Sequence, residues 1–204
     1  MNNKYFLKYT LDKIVAALLI ILASPVMLAI VIAMWVEGFF NAGAKGPAIY
    51  KEKRISQGNP FILYKFRTLK MAVINKMMES DSATFLQVKK ENTTRIGRLL
   101  VKVYFDEMPQ LFNVISGKMS FIGPRPRIQR VYQEDLGNGY TALKYLRAGI
   151  SGPHQISKGE NDFSLKKSEE YYRNSAKYGP LRLLVYDAGL MCKTVLKILK
   201  AEGL

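Results

Sequence analysis

The sequence predicts an α+β protein, mainly helical, with an N-terminal re-entrant membrane helix-hairpin, a small cytoplasmic domain holding a short β-hairpin, and interfacial amphipathic helices. Three observations predict it. Residues 14–36 form an uncharged apolar run, long enough as a helix to cross ~30 Å of hydrocarbon. Two stretches rich in Tyr, Phe and Ile flank the turn-forming Ser56-Gln57-Gly58-Asn59-Pro60, the mark of a hairpin. Residues 181–186 and 190–199 carry one apolar stripe with Lys193, Lys197 and Lys200 beside it. That stripe fits a helix lying on an anionic membrane, and it fits a packed C-terminal core helix nearly as well.

The N-terminal run is interrupted in its middle by Ser24-Pro25. Proline removes a backbone donor and clashes with the preceding turn, so the helix kinks or breaks there. Lys4, Lys8 and Lys13 precede the run, and Lys45, Lys51, Lys53, Arg54, Lys65, Arg67 and Lys70 follow it. Basic flanks favour the cytoplasmic side. A straight span cannot put both flanks there, whereas a helix that breaks at Ser24-Pro25 and re-enters the same leaflet does. The hydroxyl of Ser24 is available to the backbone freed by the break. A kinked single span is the plainer alternative, and a signal peptide fits less well because its apolar region is shorter. The expected division is residues 1–40 as the membrane-associated element and residues 41–204 as the cytoplasmic domain.

Residues 41–47 have linker and turn chemistry. Residues 48–50 and 61–66 read as the hairpin strands, and residues 71–86 as a polar helical surface segment. Residues 96–103 favour helix by the spacing of Leu99, Leu100 and Val103. Pro109 suits a first helical position and Gly117 a stop, so residues 110–116 form a short helix. Residues 119–122 are a short buried strand leading into Gly123-Pro124-Arg125-Pro126.

The 204 residues hold 31 Lys+Arg against 16 Asp+Glu, a formal charge of +15, yet 49% are hydrophobic. So apolar a chain is not a disordered basic tail. One cysteine, Cys192, excludes a disulfide framework, and one histidine, His154, excludes a His-rich metal site; both read as structural. The positive excess calls for an anionic partner: nucleic acid, anionic lipid or a phosphorylated substrate. No P-loop, helix-turn-helix or aromatic RNA platform is present. The stretch Gly137-Asn138-Gly139-Tyr140-Thr141-Ala142 matches a dinucleotide fingerprint by letter but follows polar Gln133-Glu134-Asp135 and not a buried strand. Glu160-Asn161-Asp162 is too short to define a cation site.

Three constellations remain. Asp106-Glu107 lies just before the helix starting near Pro109, facing the positive end of its dipole, where an ionised carboxylate or a docked phosphate is favoured. Such acids are also ordinary helix caps. In Pro124-Arg125-Pro126 the prolines stiffen the backbone around Arg125. An arginine held so loses less entropy on offering its bidentate fork to a phosphate; simple loop rigidity is the alternative. In Tyr64-Lys65-Phe66-Arg67-Thr68, alternation puts Lys65 and Arg67 on one strand face. Two cations there suit a diphosphate, although a solvated strand face is the commoner meaning.

Together and in this order, these motifs resemble the bacterial sugar transferase family of monotopic polyprenol-phosphate phosphoglycosyl transferases, over nearly the whole chain. The residues that carry the resemblance are Ser24-Pro25, Gly46-Pro47, Lys65-Phe66-Arg67-Thr68, residues 106–114, residues 117–126 and Gly149-Ile150-Ser151-Gly152. The resemblance implies a bacterial inner-membrane enzyme on the cytoplasmic face. It would transfer a phospho-sugar from a nucleotide diphosphate sugar, such as a UDP-sugar, to a polyprenol (undecaprenyl) phosphate, releasing UMP. By the same resemblance Asp106 is the nucleophile and Mg²⁺ ligand, Glu107 its dyad partner, and Arg125 and Lys65 lie near substrate phosphate. Membrane lipids are the surrounding partners and nucleic acid is not one. The chain departs from the family pattern at Tyr104-Phe105, Ala148, Ser151, Pro153 and Lys158-Gly159, which leaves the sugar and the nucleotide-contacting residues open. A transferase moving the sugar alone, or a non-catalytic basic membrane module, are the competing readings.

Overall fold

The computed structural model describes residues 5–79, 91–156, 162–175 and 179–199. Among the described residues helix dominates, with two two-stranded sheets. The chain divides into two compact units, one of Met1–Ile20, Glu52–Leu63 and Gln110–Leu204, the other of Ile21–Lys51 and Tyr64–Pro109.

Helix α1 runs over Phe6–Phe40 with Pro25 inside it. The break expected at Ser24-Pro25 is therefore not an interruption of helical structure. Pro25 has no N–H for the Ile21 carbonyl four residues back. The Ser24 hydroxyl donates to that carbonyl instead, at 2.8 Å, so the helix passes the proline with its polar group satisfied. This is the only helix among the described residues long and apolar enough to cross a membrane. Its apolar side chains are largely exposed, Leu22 at 75%.

In the unit built on Ile21–Lys51 and Tyr64–Pro109, Met34, Phe66 and Leu100 form the core, with Ile30, Val31, Ile49, Ile96 and Met108 against it. Helix α2 covers Met71–Glu79 and α3 covers Arg95–Lys102. The sequence extended the α2 segment to residue 86; residues 80–86 lie outside the described residues. The first N–H groups of α3 have no partner inside the helix, and each finds one outside it. Glu37 accepts from Arg95 at 2.6 Å and Ile96 at 3.0 Å, and the Thr94 hydroxyl accepts from Gly97 at 2.9 Å. The carboxylate that bounds the apolar run is thus the N-terminal cap of α3.

Strands β1 (Ile49–Ser56) and β2 (Asn59–Phe66) pair as the expected hairpin. Gln57 and Gly58, at φ 52° and 74°, make the two-residue turn whose twist matches the strands.

In the other unit, α4 (Gln110–Ile115) leads to β3 (Met119–Ile122), as expected. No sequence signal marks β4 (Ala148–Ser151), which pairs with β3 in parallel, Met119 opposite Ala148 and Ile122 opposite Ser151. Four residues with a glycine carry too little pattern to read as a strand. The strands approach so closely at Gly123 and Gly149 that a β-carbon on either would collide with the other's backbone. Between and after them lie α5 (Gln129–Gly137), α6 (Ala142–Tyr145), α7 (Pro153–Ile156), α8 (Asp162–Ser175) and α9 (Pro180–Leu199). Gly137-Asn138-Gly139 is the end of α5, with Gly139 at φ 82°, a helix stop and not a nucleotide loop. Helix α9 packs Leu183 and Leu190 into the core while Leu181, Val185 and Leu196 stay exposed. At its centre Asp187 takes the Lys8 ammonium at 2.7 Å and the Tyr172 hydroxyl at 2.5 Å, in a nearly water-free setting. Asp12 adds to Lys8 at 3.7 Å. The N-terminal turns of α1 are held to the last helix by this network.

Candidate active site

Asp106 and Glu107 lie in a 3-10 turn, Phe105–Glu107, between α3 and α4. The residue entering it, Tyr104, is left-handed at φ 59°. A bulky side chain rarely adopts that conformation, and backbone strain of this kind concentrates at functional sites. Pro109 and Gln110 behind the dyad are buried, so the turn sits on a fixed base. The Lys65 ammonium reaches Glu107 at 2.8 Å. Both side chains are 29% exposed, open enough to admit a substrate and closed enough to strengthen the pair.

Asp106 titrates above the ordinary carboxylate range. Burial is the main cause, the Lys65 charge opposes it, and Glu107 adds to it. The sequence favoured an ionised Asp106 through the helix dipole; loss of water outweighs that here, and Lys65 is what draws the carboxylate back toward its anion. Three groups named from sequence are thus gathered in one unit: Asp106, Glu107 and Lys65.

Arg67 has a different task from the phosphate contact expected of it. Strand β2 ends at Phe66, and Phe66 and Arg67 are both buried at 2% exposure, so the alternation that paired Arg67 with Lys65 stops one residue short. Its guanidinium donates to the carbonyls of Ala44 at 2.6 Å, Pro47 at 2.8 Å and Leu69 at 2.8 Å. With those donors engaged, Arg67 is a clamp on the loop after α1.

Arg125 belongs to the other unit, and its side chain is exposed. Its backbone N–H donates to Glu169 on α8 at 2.7 Å. Glu169 is pushed up to about 7 by burial, against the lowering pull of Arg127 and of that N–H. Arg127 is itself held, 11% exposed, between Asp135 at 3.3 Å and Glu169 at 3.5 Å, and Lys166 completes the group on Asp135 at 2.8 Å. Arg125 therefore projects outward from a turn whose underside is pinned by charge. Sequence reading missed Glu169 and Asp135, because each sits among charged residues that read as a solvated face, and it took Glu37 only as the end of the apolar run. His154 lies on α7 near Arg127, and Cys192 is exposed. Residues 158–161 lie outside the described residues.

Among the described residues no three metal-ligating side chains cluster. Mg²⁺ commonly takes only one or two protein carboxylates and completes its shell with substrate phosphate oxygens and water. The adjacent carboxylates of Asp106 and Glu107 fit that pattern.

Comparison with known proteins defines the class. The bacterial sugar transferase family matches residues 3–201, and the chain belongs to that family. It is 32% identical to the UDP-N-acetylgalactosamine-undecaprenyl-phosphate N-acetylgalactosaminephosphotransferase of Aeromonas hydrophila, over 97% of this chain and 45% of the relative. It is 34% identical to the UDP-glucose:undecaprenyl-phosphate glucose-1-phosphate transferase of Klebsiella pneumoniae, over 78% of this chain and 33% of the relative. With the undecaprenyl-phosphate galactose phosphotransferase of Salmonella typhimurium it shares 30% identity, over 99% of this chain and 42% of the relative. The chain spans less than half the length of each of these three relatives.

Proposed function

We propose that this chain is a phosphoglycosyl transferase that moves a phospho-sugar from a UDP-sugar to undecaprenyl phosphate, with Asp106 as nucleophile. The observation that carries the reading is a half-buried Asp106 beside the Lys65–Glu107 pair, on a turn entered through left-handed Tyr104. The names of three relatives specify undecaprenyl phosphate as acceptor and support the overall reaction.

In the first half-reaction an Asp106 oxygen bonds to the sugar-bearing phosphorus. The bond from that phosphorus to the bridging oxygen breaks, and UMP leaves with the electron pair. In the second, an oxygen of the polyprenol phosphate attacks the same phosphorus and the acyl-phosphate bond breaks, restoring the carboxylate. A carboxylate approaching a diphosphate meets like charge, so cations must offset it. Lys65 is in position to act on the dyad, and Arg125, outward on its stiff turn, is assigned to a substrate phosphate. Bound Mg²⁺, held by Asp106 and the substrate's phosphates, would supply further neutralisation. Glu107 is assigned to receive a proton from the incoming acceptor.

The membrane arrangement belongs to the same reading. Residues 1–40 form the membrane-associated element, entering and leaving the inner membrane on its cytoplasmic face by bending at Pro25, and residues 41–204 form the cytoplasmic domain. Side chains at both ends of α1 support it: Lys8 pairs with Asp187, and Glu37 caps α3. The exposed Leu181, Val185 and Leu196 of α9, with Lys193 and Lys197 on the same helix, suit contact with the membrane surface.

Intact-protein mass spectrometry tests the mechanism. With UDP-sugar and Mg²⁺ but no lipid, the wild type should gain one phospho-sugar and release UMP, and Asp106→Asn should do neither. Release of UDP would instead identify a transferase of the sugar alone, and an adduct persisting in Asp106→Asn would move the nucleophile.

A further inference from the structure

The end of α1 and the loop after it enclose a groove of about 590 Å³, within the size range of small-ligand sites. Met34, Trp35 and Phe39 line it from the helix, Ala42 and Lys45 from the loop. Its walls are mostly apolar, and Lys45 is the one charged residue among the described residues that line it. Trp35 is 65% and Phe39 85% exposed, where a chain buried in the bilayer could reach them.

The groove is preformed. Arg67 fastens the loop through the Ala44 and Pro47 carbonyls, and the Asn41 side chain accepts from Gly43 at 3.1 Å. Gly38 brings helix and loop together, since a β-carbon there would stand 3.3 Å from the Lys45 α-carbon. The groove also shares a core with the dyad. Met34 packs with Phe66 and Leu100, and Met108 joins the same cluster; Phe66 follows Lys65, and Met108 follows Glu107.

We propose that this groove binds the lipid acceptor, with the first isoprene units of a polyprenol phosphate along Met34, Trp35 and Phe39 and its phosphate at Lys45. An apolar channel with a single ammonium matches a hydrocarbon chain ending in one anionic head. A nucleotide diphosphate sugar, polar along its length, would leave its hydroxyls and base edges without partners there. The inference rests on the transferase reading for its choice of lipid, but the binding it asserts is measurable without turnover.

The test uses the full chain in phosphatidylcholine nanodiscs and a polyprenyl phosphate bearing a diazirine in its first isoprene units. Photolabelling should map to residues 34–45, should be displaced by undecaprenyl phosphate and should resist phosphatidylglycerol. Trp35→Ala and Lys45→Glu should each weaken labelling about tenfold, a loss of ~1.4 kcal/mol. In turnover they should raise KM for the acceptor by a similar factor while KM for the nucleotide sugar holds. Labelling elsewhere, equal displacement by phosphatidylglycerol, or an unchanged acceptor KM overturns the assignment. So does a parallel rise in both KM values, which would mark a structural defect. Labelling at residues 34–45 in a chain that transfers nothing would retain the site and discard the transferase reading.

Discussion

At the scale of single residues, Arg125 and Arg127 stand two positions apart and do opposite work. Arg127 is nearly enclosed by carboxylates, so Arg127→Ala takes from Glu169 its ion pair, leaves Asp135 to Lys166 alone, and should cost ~3–5 kcal/mol of stability, read as a lower midpoint in thermal or urea unfolding. Arg125→Ala should leave that midpoint in place and lower turnover by roughly 10²–10³, since the lost bonds belong to the transition state. Arg125→Lys should recover little, for an ammonium lacks the planar fork. Lys65 governs a proton. Asp106 must be ionised to attack, burial holds its titration high, and Lys65 opposes burial. Lys65→Met should therefore move the acid limb of UMP release to higher pH, and a limb that stays put would separate Lys65 from Asp106. That Asp106, Glu107 and Lys65 belong together was legible because their motifs are local, whereas Arg125 falls in the other unit. Arg67 was misread because alternation says nothing of where a strand ends.

At the scale of elements, the link between α1 and α3 adds one polar side chain to the apolar contact of Met34 with Leu100. Glu37 satisfies two backbone donors of α3, and Glu37→Ala leaves both in search of water. The variant should lose ~1–2 kcal/mol, the usual worth of a cap, and amide exchange at Arg95 and Ile96 should accelerate first. The hairpin, α3, α4 and β3 were readable in advance, each from a local signal: a Ser-Gln-Gly-Asn-Pro turn, a helical spacing, a proline start, an apolar run; the hairpin strands run further into the turn than residues 48–50 and 61–66. β4 was not, since a four-residue strand is defined by its neighbour β3 and not by its own residues. The Ser24 hydroxyl was also readable as the partner for backbone left open at Pro25, although the sequence did not decide that helix would continue past it.

At the scale of the whole molecule, the re-entrant reading puts both flanks of α1 on one side of the membrane. In a Cys192→Ser background, single cysteines at Asn3 and Asn41 should both resist a membrane-impermeant reagent in intact cells and both react once the membrane is opened. Labelling of only one in intact cells would make α1 a span. Replacing Pro25 with Leu should shift part of the population toward that pattern, because a helix with its donor restored has less reason to bend. The positive charge read from composition pointed to an anionic partner without naming it. Charge counts have no geometry, and the pairing of Lys65 with Glu107 and of Arg127 with Asp135 depends on the fold.

The ion pair between Lys8 and Asp187 has a consequence in time. Its two halves are separated by 179 positions, so at ordinary elongation rates the ribosome needs roughly 10–35 s to deliver the second after the first. Throughout that interval Lys8 has Asp12 for company and no α9 to shelter it. A message cut short before residue 187 yields a chain whose first helix cannot be locked, a visible defect for proteases. Fastening of α1 at Lys8 therefore waits on the synthesis of α9, however early α1 itself forms.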